Sequence, residues 1–254
     1  MMAVTPMTSM MELLKQLRLS GLAEELPRLI EEARQGQLSY EAFLVQVLQQ
    51  EITRRAERAD QQRLRKAKLP FISRIESFDF RFQPSVSKRL VHELASLQFL
   101  ETATNVVLIG PPGVGKTHLA CGLSLKALEA GHAVLFTTLR DLAQALEAPR
   151  LPGQHDLLRR YAQPQLLVID EVGYTRLTTE QARLLFDLVA ARYERGSTVL
   201  TSNLTFGEWG ALLGDEVLAT ALLDRLLHHA EVITINGRSY RMRNHAGADV
   251  PAPS

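Results

Sequence analysis

The spacing of apolar positions changes once along the chain. Up to about residue 69 they recur every three or four residues: Leu13, Leu14 and Leu17, then Leu22, Leu26, Leu29 and Ile30, then Phe43, Leu44, Val47, Leu48 and Ile52. That spacing puts each group on one side of a helix. Gly21 and Pro27 interrupt the pattern, so two short helices are predicted, the second ending near Gly36. Ser39 is placed to cap a third helix, with one apolar stripe that fades into a basic stretch before Pro70 stops it. After a helix predicted over 86–100, short strand-like stretches rich in Val, Leu and Ile come at 105–109, 133–137, 166–169, 198–202 and 231–236, with helical stretches between them. Such strand-like stretches predict strands buried on both faces of a parallel sheet.

The expected organisation is an α/β fold behind a small all-helical N-terminal domain. The domain bounds are 1–69 for the helical part, 70–86 for a linker, 87–246 for the α/β part and 247–254 for a loose tail. Phe71, Phe78, Phe80 and Phe82 fall in the linker, so it is expected to pack on the domain that follows. Pro149, Pro152 and Gly153 are expected to end the helix that begins near Asp141.

Composition narrows this picture only a little. With 254 residues, 46% hydrophobic and 22% charged, the chain is long enough for a substantial core. A net charge of +1 gives no overall reason to bind a polyanion. A lone cysteine, Cys121, makes no internal disulfide, which suits a reducing cytoplasm, and it reads as a small buried residue. The first residues lack a basic start followed by an apolar run, and no apolar run approaches bilayer length. A cytoplasmic protein with no membrane partner is expected.

Gly110-Pro111-Pro112-Gly113-Val114-Gly115-Lys116-Thr117 carries the most specific chemistry. It fits G-x-x-x-x-G-K-[ST], between a predicted strand and a helix that opens with His118. Gly113 and Gly115 let successive N–H groups turn toward one anion, and the helix N-terminus aims its positive end at the same place. Lys116 is then placed for the β- and γ-phosphates of ATP, and the Thr117 hydroxyl for Mg²⁺.

Two carboxylates, Asp170 and Glu171, close the 166–169 run at the C-terminal end of its strand, where parallel α/β sheets bind ligands. Asp170 suits Mg²⁺, and Glu171 suits an attacking water. Asn203, at the end of the next strand, is placed for the γ-phosphate or that water. Asp224 and Arg225 stand between apolar pairs of a helix and read as an internal salt bridge or as a probe into a neighbour. His228 and His229 are adjacent on what is predicted to be the same helix. Neighbours there point about 100° apart, so they are not expected to chelate a metal.

The basic stretch comprises Arg54, Arg55, Arg58, Arg63, Arg65, Lys66 and Lys68. It reads either as a solvated helix face or as a surface for DNA phosphates. It carries no interleaved aromatics for base stacking.

The order of phosphate loop, Asp-Glu strand, Asn-ended strand and Asp-Arg helix resembles the AAA+ ATPase core. The strings GPPGVGKTHLA, LLVIDEVGY, RYERGS, LTSN, FGEWG, LLDRLLHH and GRSYR together resemble the IstB family, helper ATPases that partner a transposase of bacterial insertion sequences. Without FGEWG and LLDRLLHH they also fit DnaC-type helicase loaders. The resemblance implies an AAA+ parallel sheet flanked by helices and ATP hydrolysis with Mg²⁺. It implies homo-oligomers on double-stranded DNA that bend it and deliver it to a transposase. It makes Asn203 the first sensor, Arg225 the finger that completes a neighbour's site, and Arg241 a second sensor. The chain after Arg225 holds only a strand and a short tail, too little for the helical lid usual in AAA+ proteins, so the resemblance leaves Arg241 acting either in cis or in trans. A small-molecule kinase and a DNA-bending scaffold that uses ATP only for assembly are the other readings.

Overall fold

Strand β1 (Asn105–Ile109) has both faces buried, which is why its sequence is apolar without alternation. Val106 and Leu108 enter one core, and Val107 and Ile109 enter another on the opposite side of the sheet. A computed structural model describes residues 6–147 and 157–245 of the chain. Five strands form one parallel sheet in the order β2-β3-β4-β1-β5, with β2 at Val134–Thr138, β3 at Leu166–Val172, β4 at Ser197–Ser202 and β5 at Ala230–Thr234. The fold is the mixed α/β class expected.

The helices divide between the two faces. Helix α6 (Lys116–Glu129) packs on one side, together with α4 (Lys88–Ala95), Ile75 and Phe78. Helices α7 (Leu139–Glu147), α9 (Thr179–Arg192), α10 (Trp209–Leu213) and α11 (Glu216–Leu227) cover the other. Short helices α5 (Gln98–Glu101) and α8 (Leu157–Ala162) complete this part. The aromatic linker does pack down, because Phe78 is buried in the α6-side core and Phe80 lies against it. The helix expected over 86–100 is two pieces, divided at Leu97, which adopts a left-handed φ of 67°.

The chain separates into two compact units, Met1–Gln62 and Arg63–Ser254. In the first, α1 (Pro6–Gln16), α2 (Ser20–Gln35) and α3 (Tyr40–Ala67, which runs past the division) surround Leu14, Leu22, Leu26, Leu29 and Val47. Ser39 caps α3, its Oγ accepting from the Ala42 N–H at 3.2 Å. The two short helices expected are α1 and α2, the second capped at Gly36, but Pro27 does not interrupt the pattern; it lies inside α2. Its ring forfeits the bond to the Ala23 carbonyl, a cost of about 3 kcal/mol. Burial of Leu22, Leu26 and Leu29 offsets that, at about 1.5–3 kcal/mol each. The single apolar stripe expected on α3 is two. Phe43 and Val47 face the helical core, whereas Leu44, Leu48 and Ile52 are exposed. The predicted breakers Pro149, Pro152 and Gly153 and the tail from 247 lie outside the described residues.

Candidate nucleotide site

Because the strands are parallel, the ends of β1, β3 and β4 open on one edge of the sheet, with β4 between the other two. A cavity of about 480 Å³ lies there. It is lined by residues 112–118 of the phosphate loop, by Asp170 and Glu171, by Thr201 and Asn203, and by Arg241. The loop has the curled backbone its glycines predicted, with φ of 80° at Gly113 and 104° at Gly115. Gly115 is also needed for space, since a Cβ there would sit 2.7 Å from a ring carbon of Phe78.

The Lys116 ammonium donates to the carbonyls of Gly110 (2.6 Å) and Pro111 (2.8 Å). Burial pulls it below the usual lysine range; Asp170 opposes that shift and the charge of Arg241 adds to it. The Thr117 hydroxyl stands 3.1 Å from both carboxylate oxygens of Asp170. Thr201 Oγ1 donates to the same carboxylate and accepts the Glu171 N–H at 3.1 Å. These hydroxyl and carboxylate oxygens fit a hard divalent cation such as Mg²⁺.

Asp170 and Glu171 separate because the β3–β4 register slips between Ile169 and Val172 and Glu171 adopts a left-handed φ of 62°. Asp170 is thereby buried beside Thr117, while Glu171 is exposed at the cavity. Asn203 borders the cavity, and its Oδ1 is buried without a hydrogen-bond partner. Gly173, at φ 111°, leaves room for it; a Cβ there would overlap Asn203 Oδ1.

Several lining residues were not expected from the motifs: Phe71, Ser77, Phe78, Asp79, Gln83, Tyr174 and Tyr240. The aromatic linker was the available signal for the first five. The segment after β5 was legible only as a string. It lies across the phosphate loop, with the Tyr240 N–H donating to the Gly113 carbonyl at 2.8 Å. Gln83 Nε2 holds the Arg238 carbonyl at 2.9 Å, and Arg243 reaches Asp79 at 3.2 Å and the Tyr240 hydroxyl at 3.0 Å. This strap sets Arg241 at the cavity. His118 also borders it, with Nε2 at 3.1 Å from Ser77 Oγ and its ring in a T-shaped contact with Phe78.

A family model described as IstB-like ATP binding protein matches residues 12–248. The chain belongs to that family. It is 44% identical over 239 residues, covering 94% of this chain and 90% of the relative, to a candidate ATP-binding protein of insertion sequence IS21 from Pseudomonas aeruginosa. Among solved structures, the DnaC helicase loader matches with a TM-score of 0.50 at 23% identity, covering 58% of this chain and 86% of DnaC. AMPPCP-bound DnaA from Aquifex aeolicus matches with a TM-score of 0.54 at 20% identity, covering 70% and 54%. These two likenesses show a shared fold.

Arg225 does not line the cavity of its own chain. It is half-buried on α11, with its guanidinium over the ring of Phe186. The basic stretch also divides. Arg54 is committed to Glu24 (3.1 Å), Glu25 (3.2 Å) and the Gly21 carbonyl, and Arg55 to Glu51 (2.6 Å). Arg63 is half-buried, whereas Arg58, Arg65, Lys66 and Lys68 are exposed. The expectation that His228 and His229 diverge is not met. Helix α11 ends at Leu227 with His228 as its cap, and the His228 and His229 ring centroids lie 4.3 Å apart. Among the described residues no helix is long and apolar enough to cross a membrane.

Proposed function

We propose that this chain is an ATPase that helps an insertion-sequence transposase, binding and hydrolysing ATP between subunits assembled on duplex DNA. Convergence of the phosphate loop, Asp170, Glu171 and Asn203 on one cavity carries the ATPase reading. The insertion-sequence name of the 44% identical relative supports the transposition context. The DnaC likeness supports the fold alone, so the helicase-loader alternative has less behind it.

Loop amides and Lys116 bind the phosphates, the ammonium leaving the Gly110 and Pro111 carbonyls for them. Thr117 and Asp170 would hold Mg²⁺, which offsets phosphate charge when bound. Glu171 accepts a proton from the attacking water, and Asn203 Oδ1 orients that water as its oxygen bonds to the γ-phosphorus and the bond to the β–γ bridging oxygen breaks, releasing ADP and phosphate. Arg225 reaches the site of the next subunit, and Arg241 contacts the nucleotide of its own. Phe78, Phe71 and Tyr240 supply apolar surface for the base and ribose. Arg58, Arg65, Lys66 and Lys68 offer charge to DNA phosphates, contacts that carry little sequence information and suit loose target choice. Many such contacts across an oligomer offset the several kcal/mol that bending DNA requires.

The test is electron microscopy of the chain with duplex DNA and a non-hydrolysable ATP analogue, beside phosphate release with and without DNA. Oligomers on bent DNA and DNA-stimulated release are expected. Monomers only, under all those conditions, would sink the assembly reading. In parallel, Lys116→Ala should weaken ATP binding about 10–100-fold, from loss of a charge-assisted contact; unchanged affinity would remove the site assignment.

A further inference from the structure

From Glu194, His228 and His229 we infer a second cation site, one for a divalent transition metal of the Zn²⁺ class. The three are the group among the described residues whose ligand atoms converge, each lying within 4.8 Å of the others. Two elements contribute. Glu194 stands in the turn after α9, and the histidines follow α11, with His228 as its cap. His229 Nε2 is 3.9 Å from Glu194 Oε1. All three side chains are exposed, so small rotations bring the donors together without disturbing the core. Zn–N and Zn–O bonds of about 2.0–2.2 Å put tetrahedral donors about 3.3 Å apart, a contraction within reach of such rotations.

The donor chemistry selects the metal. Two imidazoles and one carboxylate suit Zn²⁺ and similar borderline ions, and they leave one coordination position open. They do not suit Mg²⁺, which prefers oxygen donors. Behind the site, the Tyr193 hydroxyl meets His228 Nδ1 at 3.0 Å. When His228 Nδ1–H donates to the Tyr193 oxygen, Nε2 is left unprotonated to ligate, the usual support for a metal-binding histidine. A surface ion pair would need only Glu194 and His229; it explains neither the third donor nor the tyrosine behind it. Bound metal ties the α9–β4 turn to the end of α11, three residues beyond Arg225.

Calorimetric titration of the full chain with ZnCl₂, in excess Mg²⁺ and without nucleotide, tests this. One Zn²⁺ per chain with a Kd below about 10 µM is expected, together with a rise in melting temperature. His229→Ala and Glu194→Gln should each weaken binding at least tenfold and remove the thermal shift. Tyr193→Phe should weaken it about tenfold while keeping all three ligands. Lys116→Ala should leave it unchanged, which separates the site from the phosphate loop. Absence of binding at 100 µM Zn²⁺, binding indifferent to the His229 and Glu194 changes, or binding lost with Lys116→Ala would each overturn the inference. Circular dichroism of each variant verifies folding, and a misfolded one is replaced by His228→Gln, which must also weaken binding tenfold for the inference to stand.

Discussion

The guanidinium of Arg225 lies over the ring of Phe186, its central carbon 4.3 Å from the ring centroid. The contact joins α11 to α9 and places the cation on aromatic surface rather than in its own chain's cavity. A cation on an aromatic face is held by about 0.5–2 kcal/mol, enough to orient it and weak enough to release it. If Arg225 acts on a neighbouring subunit, the Arg225→Ala protein keeps ATP affinity and loses on the order of a thousandfold in hydrolysis. Mixing it with Lys116→Ala protein then restores part of the rate, because each supplies what the other lacks. Phosphate release from the two variants alone and mixed checks this; no recovery on mixing would mean that Arg225 serves its own chain.

Glu171 is exposed at the cavity, while Asp170 is buried against Thr117 and Thr201. Glu171→Gln is therefore expected to bind ATP normally and to lose roughly 10²–10⁴-fold in hydrolysis, the range for removal of a general base. Stopped-flow nucleotide binding beside steady-state phosphate release separates the two effects. Asp170→Asn should instead weaken the Mg²⁺ dependence of binding, a difference set by the left-handed turn at Glu171.

Gly173→Ala meets Asn203 Oδ1 and forces a φ of 111° on a residue with a Cβ. Destabilisation of about 1–3 kcal/mol is expected, together with slower hydrolysis at unchanged ATP affinity. Urea unfolding and the rate measured on folded protein test the two parts. A stable variant with full activity would mean that Asn203 does not order the reacting water.

Cys121 is fully buried in α6, and burial together with the charge of Asp170 pushes its thiol up to about 12. Native protein at pH 8 should resist a thiol-reactive dye that labels it promptly in denaturant. The sign of the pH effect follows from the raised value. The stabilisation is complete below the unfolded value of 9.0 and is lost as pH rises toward about 12, since the unfolded thiol ionises first. Unfolding followed from pH 8 to 11 checks it against Cys121→Ala, whose stability lacks this contribution.

Much of the site was readable because local rules write it. The phosphate loop needs glycines where φ is positive, and Gly113 and Gly115 have it. Strands buried on both faces favour apolar runs, as in β1 and β3, and all five predicted stretches are strands, although β5 at the sheet edge is mostly exposed. The terminal residues Asp170 and Asn203 border one cavity because parallel strands end on one edge. Errors arose where burial by distant partners overrode a local preference. Pro27 stays helical because three leucines beside it are buried, and Val47 turns inward while Leu44 and Leu48 remain outside.

Residue order along the chain, then, was sufficient for the individual strands, the phosphate loop and the carboxylate pair, since each depends on neighbours within a few positions. Folding alone decided the rest. It brought Phe78 and Tyr240, more than a hundred positions apart, to the same cavity, turned Arg225 onto Phe186, and set His228 and His229 beside Glu194. Those meetings depend on how helices cross and where chains end, and spacing along a single chain carries no record of them.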